Sequence, residues 1–472
     1  MNPGELLDGV EPLRKGIADG SWVSYVSTSV VPVVFVVLAV RLFRLISRYA
    51  VNIFFSDQWK FDDATLFQRH SIWQMFAWQH GPHRQGLGAL FQKVIEPSFR
   101  WNSRTESFIV GSVVVAAALC ALYLKKRLYG GFSAADIFIP AAFFIPRQFE
   151  TLFVTANFAH GPFPLLLIVL YCLAWTCSKP RVRYALVLII NFVTIYTGFG
   201  LLLGFLTPIL IVLDYRASLP EARLRKPYLI CAVAVSMVSL GSFFVGYQFK
   251  TGSSCSPFPV MMPKYYIAYM AFMLANFFGM KHPSAVQESV VGLTVLIALL
   301  ASLLVCTWQL VREHNVNLPN LRSKRSLIIA ALTAYCLLFC LMTAVGRLCN
   351  GLQTAHAPRY VIYLELGFLG LYFHLLNISR TGARRLFLGA LLISVLAASW
   401  RIDRVDIGHF PLIKQQWQRC YLQFEDIDQC NAEVGFSIYP PVVVSLTPDA
   451  RQHFREKLEY LKKNRLNLYA DR

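Results

Sequence analysis

Residues 287–311 read QESVVGLTVLIALLASLLVCTWQLV, with one charge near the start and hydrophobic side chains around the rest of the run. Crossing the roughly 30 Å hydrocarbon layer of a membrane takes about 20 helical residues. A helix is also the form in which such a segment satisfies its own backbone polar groups without water. Runs of this kind recur along the chain. Worked outward from 287–311, the candidate spans fall at about 22–43, 106–124, 132–146, 161–177, 184–197, 201–214, 227–247, 327–346, 361–377 and 386–400. No two-residue alternation repeats, which argues against a barrel. The fifth and sixth spans are short and meet at Thr197-Gly198-Phe199-Gly200, a tight-turn composition. The segment 265–280 (YYIAYMAFMLANFFGM) is apolar too, but a crossing there breaks the charge alternation described next, so it reads as re-entrant or interfacial.

The chain has 472 residues, of which 56% are hydrophobic and 15% charged, whereas a soluble domain carries about 25% charged residues. Its net charge of +19 belongs mostly to loops that orient helices, which leaves little case for nucleic acid. The first run, Val23 to Phe43, is too long for a removable signal peptide and no small-x-small cleavage pattern follows it. Basic groups at 125–127, 179–183, 216–226, 312–325 and 380–385 occupy alternate connections. By the positive-inside rule these face the cytoplasm, as does the N-terminus. The loop 46–105, the stretches 147–160, 248–264 and 347–360, and the tail 401–472 are then external. Arg41, Arg44 and Arg48, at the outer end of the first span, are the exception. The expected fold is an all-α integral membrane protein with about eleven transmembrane helices in residues 1–400 and a small external C-terminal tail, 401–472. Most of the cysteines lie inside spans. Cys420 and Cys430 lie in the tail, where an oxidising compartment permits a disulfide without requiring one.

The external segments hold the chemistry. The first loop contains FFSDQWKFDDATLF (54–67) and IWQMFAWQHGPHRQGLGALF (72–91), bringing Asp57, Asp62, Asp63, His80, His83 and Arg84 among Trp59, Trp73 and Trp78. A carboxylate such as Asp57, close to the membrane surface and beside aromatic rings, suits a general base on a hydroxyl. The second segment, PRQFETLFVTANFAHG (146–161), places Arg147, Gln148, Glu150, Asn157 and His160 at a span end, where ionisable residues line cavities more often than lipid. The third, GRLCNGLQTAHAPRY (346–360), brackets a glycine-containing stretch with Arg347 and Arg359. The planar donor fork of arginine suits phosphate. P-loop, dinucleotide-binding, CxxC and HExxH patterns are absent, and His80 and His83 with Asp57 make only a weak metal set, so no metal is expected.

Taken in order, Asp57-Gln58-Trp59, the stretch His80 to Arg84, the segment 147–150 and the GR…G…A…RY of 346–360 resemble the GT-C superfamily of polytopic membrane glycosyltransferases. The closing LEYLKKNRLNLYADR resembles the external ends of bacterial members. Many relatives carry a second acid where this chain has Gln58, which leaves Asp57 as the base. The resemblance implies a bacterial cytoplasmic-membrane enzyme with its active site and C-terminus external. It would move a sugar from a polyprenyl-phosphate carrier to an envelope glycan, lipid or protein acceptor, by inversion and without a cofactor, in polysaccharide biosynthesis. Arg347 and Arg359 would hold the carrier phosphate, and Trp59 or Trp78 would stack on a sugar. His80, His83, Arg84, Arg147, Gln148, Glu150 and Tyr360 would complete substrate binding. A transporter or flippase of lipid-linked sugars is the competing reading. It predicts charges within spans and repeated halves, whereas these spans read as almost free of charge. A non-catalytic envelope assembly factor is a third.

Overall fold

The computed structural model describes residues 21–62, 66, 70–218, 225–249, 259, 261–280, 284–312, 320–402, 404–439 and 447–470. Helix α1 (Ser21–Tyr49) leads into a loop holding α2 (Asp57–Asp62), α3 (Ile72–Phe76), the hairpin of β1 (Gln79–His80) and β2 (His83–Arg84), and α4 (Gly86–Ile95). Next come α5 (Ser103–Tyr129), the short α6 (Phe138–Phe143), α7 (Pro162–Trp175), α8 (Pro180–Ile195), α9 (Leu201–Ala217) and α10 (Lys226–Phe243). The second half holds α11 (Pro263–Asn276), α12 (Ala285–Arg312), α13 (Asn320–Arg347), α14 (Val361–Leu376) and α15 (Thr381–Trp400). The tail forms α16 (Arg404–Phe424), α17 (Ile427–Val434) and α18 (Pro448–Asn464). Helix starts follow local chemistry. Pro162, Pro180, Pro263 and Pro448 open four helices, where the missing N–H costs nothing. Asn102 caps α5 by accepting from the Arg104 and Thr105 N–H groups at 3.0 and 3.1 Å.

Among the described residues, six helices are long and apolar enough to cross a membrane: Ser29–Tyr49, Ser103–Tyr129, Lys226–Phe243, Ala285–Arg312, Leu321–Asn350 and Thr381–Trp400. The chain is therefore an all-α, multi-pass membrane protein. On α12, Val286, Val290, Leu293, Ile297, Leu300, Leu304, Trp308 and Val311 are all exposed, at spacings of three and four residues. That stripe runs about 38 Å along one helix face, an apolar surface that suits contact with lipid. The other five expected spans are shorter. Helices α7, α8, α9 and α14 have 14, 16, 17 and 16 residues, or roughly 21–26 Å, and the run at 132–146 breaks into a 3-10 turn and six-residue α6. Proline and glycine punctuation shortens several of them. In the turn between α8 and α9 the Gly198 N–H donates to Ala159 O at 2.8 Å, and a Cβ there would meet the Tyr363 hydroxyl at 2.4 Å. Helix α11, at 14 residues, also falls short of the layer.

Helix α14 is the central post. Every residue from Val361 to Phe373 is buried, and α6, α7, α11, α12, α13 and α15 all pack on it. The expectation of nearly uncharged spans is corrected here. Lys125 pairs with Asp136 at 2.7 Å, Arg183 with Asp214 at 3.0 Å, and Glu365 lies fully buried on α14. Such pairs hide in the bundle interior, so runs that read as apolar can carry them. Arg41 also finds an account. Its guanidinium donates to Ser399 O at 2.6 Å and Trp400 O at 3.2 Å, satisfying carbonyls at the C-terminal end of α15.

The tail shares one apolar core with the first loop. Trp417, Tyr439, Phe454, Leu458 and Leu461 are buried there. Cys420 and Cys430 are disulfide-bonded across a Cα–Cα distance of 5.6 Å. Cys349, in the loop after α13, is also disulfide-bonded.

Candidate functional site

Three loops converge. Ser56 holds a left-handed backbone (φ +53) with its N–H bonded to Ile438 O at 2.9 Å. This conformation costs about 1–2 kcal/mol in a non-glycine residue, and the tail holds it in place. Asp57 follows, exposed at the start of α2, with its carboxylate 4.0 Å from His80 Nε2. The hairpin sets His80 opposite His83 through a turn at Gly81 and Pro82. His83 packs edge-on against Phe199 at 4.5 Å and His160 at 5.1 Å. The Tyr363 hydroxyl lies 3.4 Å from His160 Nδ1. From the second segment, Glu150 accepts from the Arg359 guanidinium at 3.0 Å and from the Arg359 backbone N–H at 3.2 Å.

The electrostatics join these pieces. Burial pushes His83 down to about 4, with the charges of His80 and Arg347 adding to it against a hydrogen bond from the His83 ring to the Gly198 carbonyl. His160 is held well below its ordinary value by burial, then by His83, Arg359, His80 and Arg347. Glu150, and more weakly Tyr360 and Asp57, keep Arg359 above its usual value against the pull of burial. At neutral pH the site therefore combines the neutral imidazoles of His83 and His160 with His80, two arginines and two carboxylates. Arg347 is exposed, and the next residue, Leu348, lines an apolar groove of about 650 Å³ with Pro259, Met261, Met262, Tyr265 and Leu352.

Several expected site residues serve elsewhere. Trp59 is fully buried between Phe54, Tyr439 and Phe454 at ring distances of 4.9–5.8 Å, so it anchors the tail and is closed to a sugar. The Arg84 guanidinium donates to Phe243 O at 2.7 Å and also reaches Ala77 O and Val245 O, clamping the hairpin to the end of α10. Gln148 is fully buried and donates to Phe143 O at 2.6 Å. Arg147 donates to Gly279 O at 2.8 Å and lies 3.9 Å from Asp406 of the tail. Gly279 has φ +76, and a Cβ there would sit 2.9 Å from the same guanidinium. Tyr360 is buried beneath Arg359, whose guanidinium lies 5.7 Å from its ring. The side chains of Asp62 and Asp63 lie outside the described residues.

Two arrangements escaped sequence reasoning. Gln58, the residue after Asp57, is buried and donates to Glu106 at 3.3 Å and Ala156 O at 3.1 Å. Lys414 of α16 is buried near this network, donating to Val154 O at 2.9 Å, and burial pushes it down to about 7 against the pull of Glu106. Separately, His356 pairs with buried Glu288 and stacks on Phe272 at 5.8 Å, pinning the third loop to α12. His356 stands in the quoted loop motif, but its partner is 68 residues away, and no local pattern signals it. Among the described residues, no group of three or more His, Cys, Asp or Glu side chains is arranged to hold a metal ion.

No family model matches this chain, and no curated protein or solved structure is detectably similar to it.

Proposed function

We propose that this protein is a membrane glycosyltransferase of GT-C type that uses a polyprenyl-phosphate sugar at the outer face of a bacterial cytoplasmic membrane. The observation that carries the reading is the meeting of Asp57, His80, Glu150 and Arg359 in one cluster, with Arg347 near enough to act on both neutral histidines. Leu348, next in the chain to Arg347, lines the apolar groove, and a charged phosphate on a hydrocarbon chain needs both a cation and an apolar surface. Orientation draws support from the cysteines. All the disulfide-bonded ones described lie in segments assigned to the outside, and free Cys120, Cys172, Cys306, Cys336 and Cys340 lie in helices of the bundle. In this reading eleven segments enter the membrane, five of them as short helices shielded by the six long ones.

The reaction balances simply. An acceptor hydroxyl attacks the anomeric carbon as the bond from that carbon to the phosphate oxygen breaks. The hydroxyl proton passes to Asp57, and the phosphate leaves on its lipid, held by Arg347 and Arg359. No cofactor enters. Positioning and charge stabilisation lower most of the barrier.

The test incubates detergent-purified protein with polyprenyl-phosphate sugar and an envelope acceptor, reading product by mass. Asp57→Asn keeps the size and loses the proton acceptor, so transfer should drop by roughly 10²–10⁴-fold while donor binding persists. Full activity in Asp57→Asn sinks the mechanism. Buried Glu365 favours one other reading, a transporter of lipid-linked sugars. That reading predicts lipid-linked sugar crossing vesicles with no new glycosidic bond.

A further inference from the structure

The loop between α1 and α5 leaves large apolar side chains uncovered beside the membrane helices. On α3, Trp73 is 79% exposed and Ile72 55%; on α4, Val94 is 67% exposed and Ile95 39%. Met75 of α3 is fully buried instead, clustered with Ala89 of α4. Ile72 and Trp73 stand four and three residues before Phe76, so the three share one face of α3.

That face continues the lipid-facing side of the bundle. On α8, Val182, Leu186, Ile189 and Phe192 are exposed at spacings of four, three and three residues, an apolar stripe that ends at Phe192. The Phe76 ring lies 6.1 Å from Phe192 and 4.5 Å from Tyr196. Phe76 also packs on the small buried cluster of Ile195, Tyr196 and Phe243. Phe243 is the last residue of α10, one of the helices long enough to span. The end of a spanning helix marks the edge of the hydrocarbon layer, and α3 lies at that depth. Its backbone is closed for such a place. The Ser71 N–H donates to Gln74 Oε1 at 2.8 Å and the Gln74 N–H to Ser71 Oγ at 3.3 Å, a reciprocal cap. The Lys93 ammonium, beside Val94, donates to His70 O and ties the end of α4 to the start of α3.

We infer that α3 and the C-terminal end of α4 lie in the headgroup layer of the membrane, with Ile72, Trp73, Val94 and Ile95 seated among the upper acyl chains of phospholipids. Tryptophan suits this depth, because its ring is apolar while its indole N–H stays hydrated. Apolar surface left in water forgoes about 25 cal/mol for each Å² that lipid would cover. A protein partner fits less well. A stable protein interface takes about 20–30 residues a side, whereas this patch is four side chains on one helix pair, continuous with a lipid-facing stripe. The anchor also bears on the candidate site. Two residues separate α3 from the hairpin that carries His80 and His83, and Arg84 clamps the far strand of that hairpin to the end of α10. The hairpin is thus held at the membrane surface from both ends, whatever reaction occurs beside it.

The experiment uses the full chain in phospholipid nanodiscs. Trp73→Phe exchanges one exposed ring for another, so the fold persists and the fluorescence difference from the wild type isolates Trp73 among the nine tryptophans of the chain. That difference signal should be quenched strongly by lipids brominated on the shallow acyl carbons, less by lipids brominated near the methyl end, and little by acrylamide in the water. As a second measurement, a photoreactive benzoylphenylalanine replacing Val94 should crosslink to phospholipid, read by mass. Quenching of the Trp73 signal by acrylamide and not by brominated lipid leaves the loop in water and overturns the inference. Protection from both quenchers, or a crosslink from position 94 to a protein chain, overturns it equally and assigns the patch to a protein partner.

Discussion

Asn467, five residues from the C-terminus, holds the tail to the first loop, and its replacement tests whether that loop depends on the tail. Its buried side chain accepts from the Phe54 N–H at 3.2 Å and donates to Trp101 O at 2.7 Å and Ser103 Oγ at 3.0 Å. Its own carbonyl accepts from Asn52 Nδ2 at 2.8 Å. Asn467→Ala removes the three side-chain bonds and strands the Phe54 N–H and Trp101 O, while the Ser103 hydroxyl can rotate to another partner. Two buried groups without partners cost about 1–3 kcal/mol each. Alanine at φ +48 adds about 1 kcal/mol that asparagine largely avoids. The expected loss is about 3–7 kcal/mol, against a typical total stability of about 5–15 kcal/mol. Thermal unfolding in detergent and limited proteolysis read it, with cleavage of the tail preceding that of the membrane helices. Asn467→Gly loses the same bonds without the backbone strain and should recover about 1 kcal/mol. Asn467→Ala within about 0.5 kcal/mol of the wild type, with an unchanged proteolytic pattern, would refute the reasoning.

Arg84→Lys keeps the charge but cannot span three carbonyls, so it should cost about 2–4 kcal/mol in thermal unfolding; an unchanged midpoint would remove the clamp. Stability should also depend on pH through His83. Its folded value of about 4 lies below the unfolded value of about 6.5. The unfolded chain therefore takes the proton first, and stability, whole above pH 6.5, falls as pH drops towards about 4. His83→Gln should flatten that part of the profile, and an identical slope in the variant would acquit the histidine.

What the sequence made legible depended on distance along the chain. Long helices are set by local hydrophobicity, so the run at 287–311 and five others read correctly. For the short central helices a crossing was not legible, because burial within protein and exposure to lipid select the same apolar residues, and only length separates them. Trp59 and Arg84 stood in motif-like surroundings, yet their partners, Phe454 and Phe243, lie 395 and 159 residues away. Nothing local distinguishes a tryptophan that stacks on a ligand from one that anchors a tail. Glu150 and Arg359 were legible as candidates because acids and arginines at span ends are costly without a purpose. That they pair with each other was not.

That pairing sharpens the proposed chemistry. The charged side chains Asp57, Glu150, Arg347 and Arg359 sum to zero, and a bound phosphodiester takes their total to −1. During transfer the departing phosphate gains a negative charge while Asp57 gains a proton, so the total stays at −1 and charge moves from the base toward the arginines. Arg359 is shared with Glu150 at the start, and a phosphate of rising charge competes better for it as the bond breaks. Contacts that strengthen in this way favour the transition state over the bound donor. Glu150→Gln removes the competitor and keeps the shape. Arg359 is about one-third exposed, at 37%, so solvent screens the pair and its worth is about 0–1 kcal/mol. Purified Glu150→Gln should bind polyprenyl phosphate up to about fivefold more tightly. Transfer per bound donor should fall, because less of the binding is reserved for the leaving group. Weaker phosphate binding in Glu150→Gln would mean that Glu150 positions Arg359 for the phosphate, and the competition argument would fail.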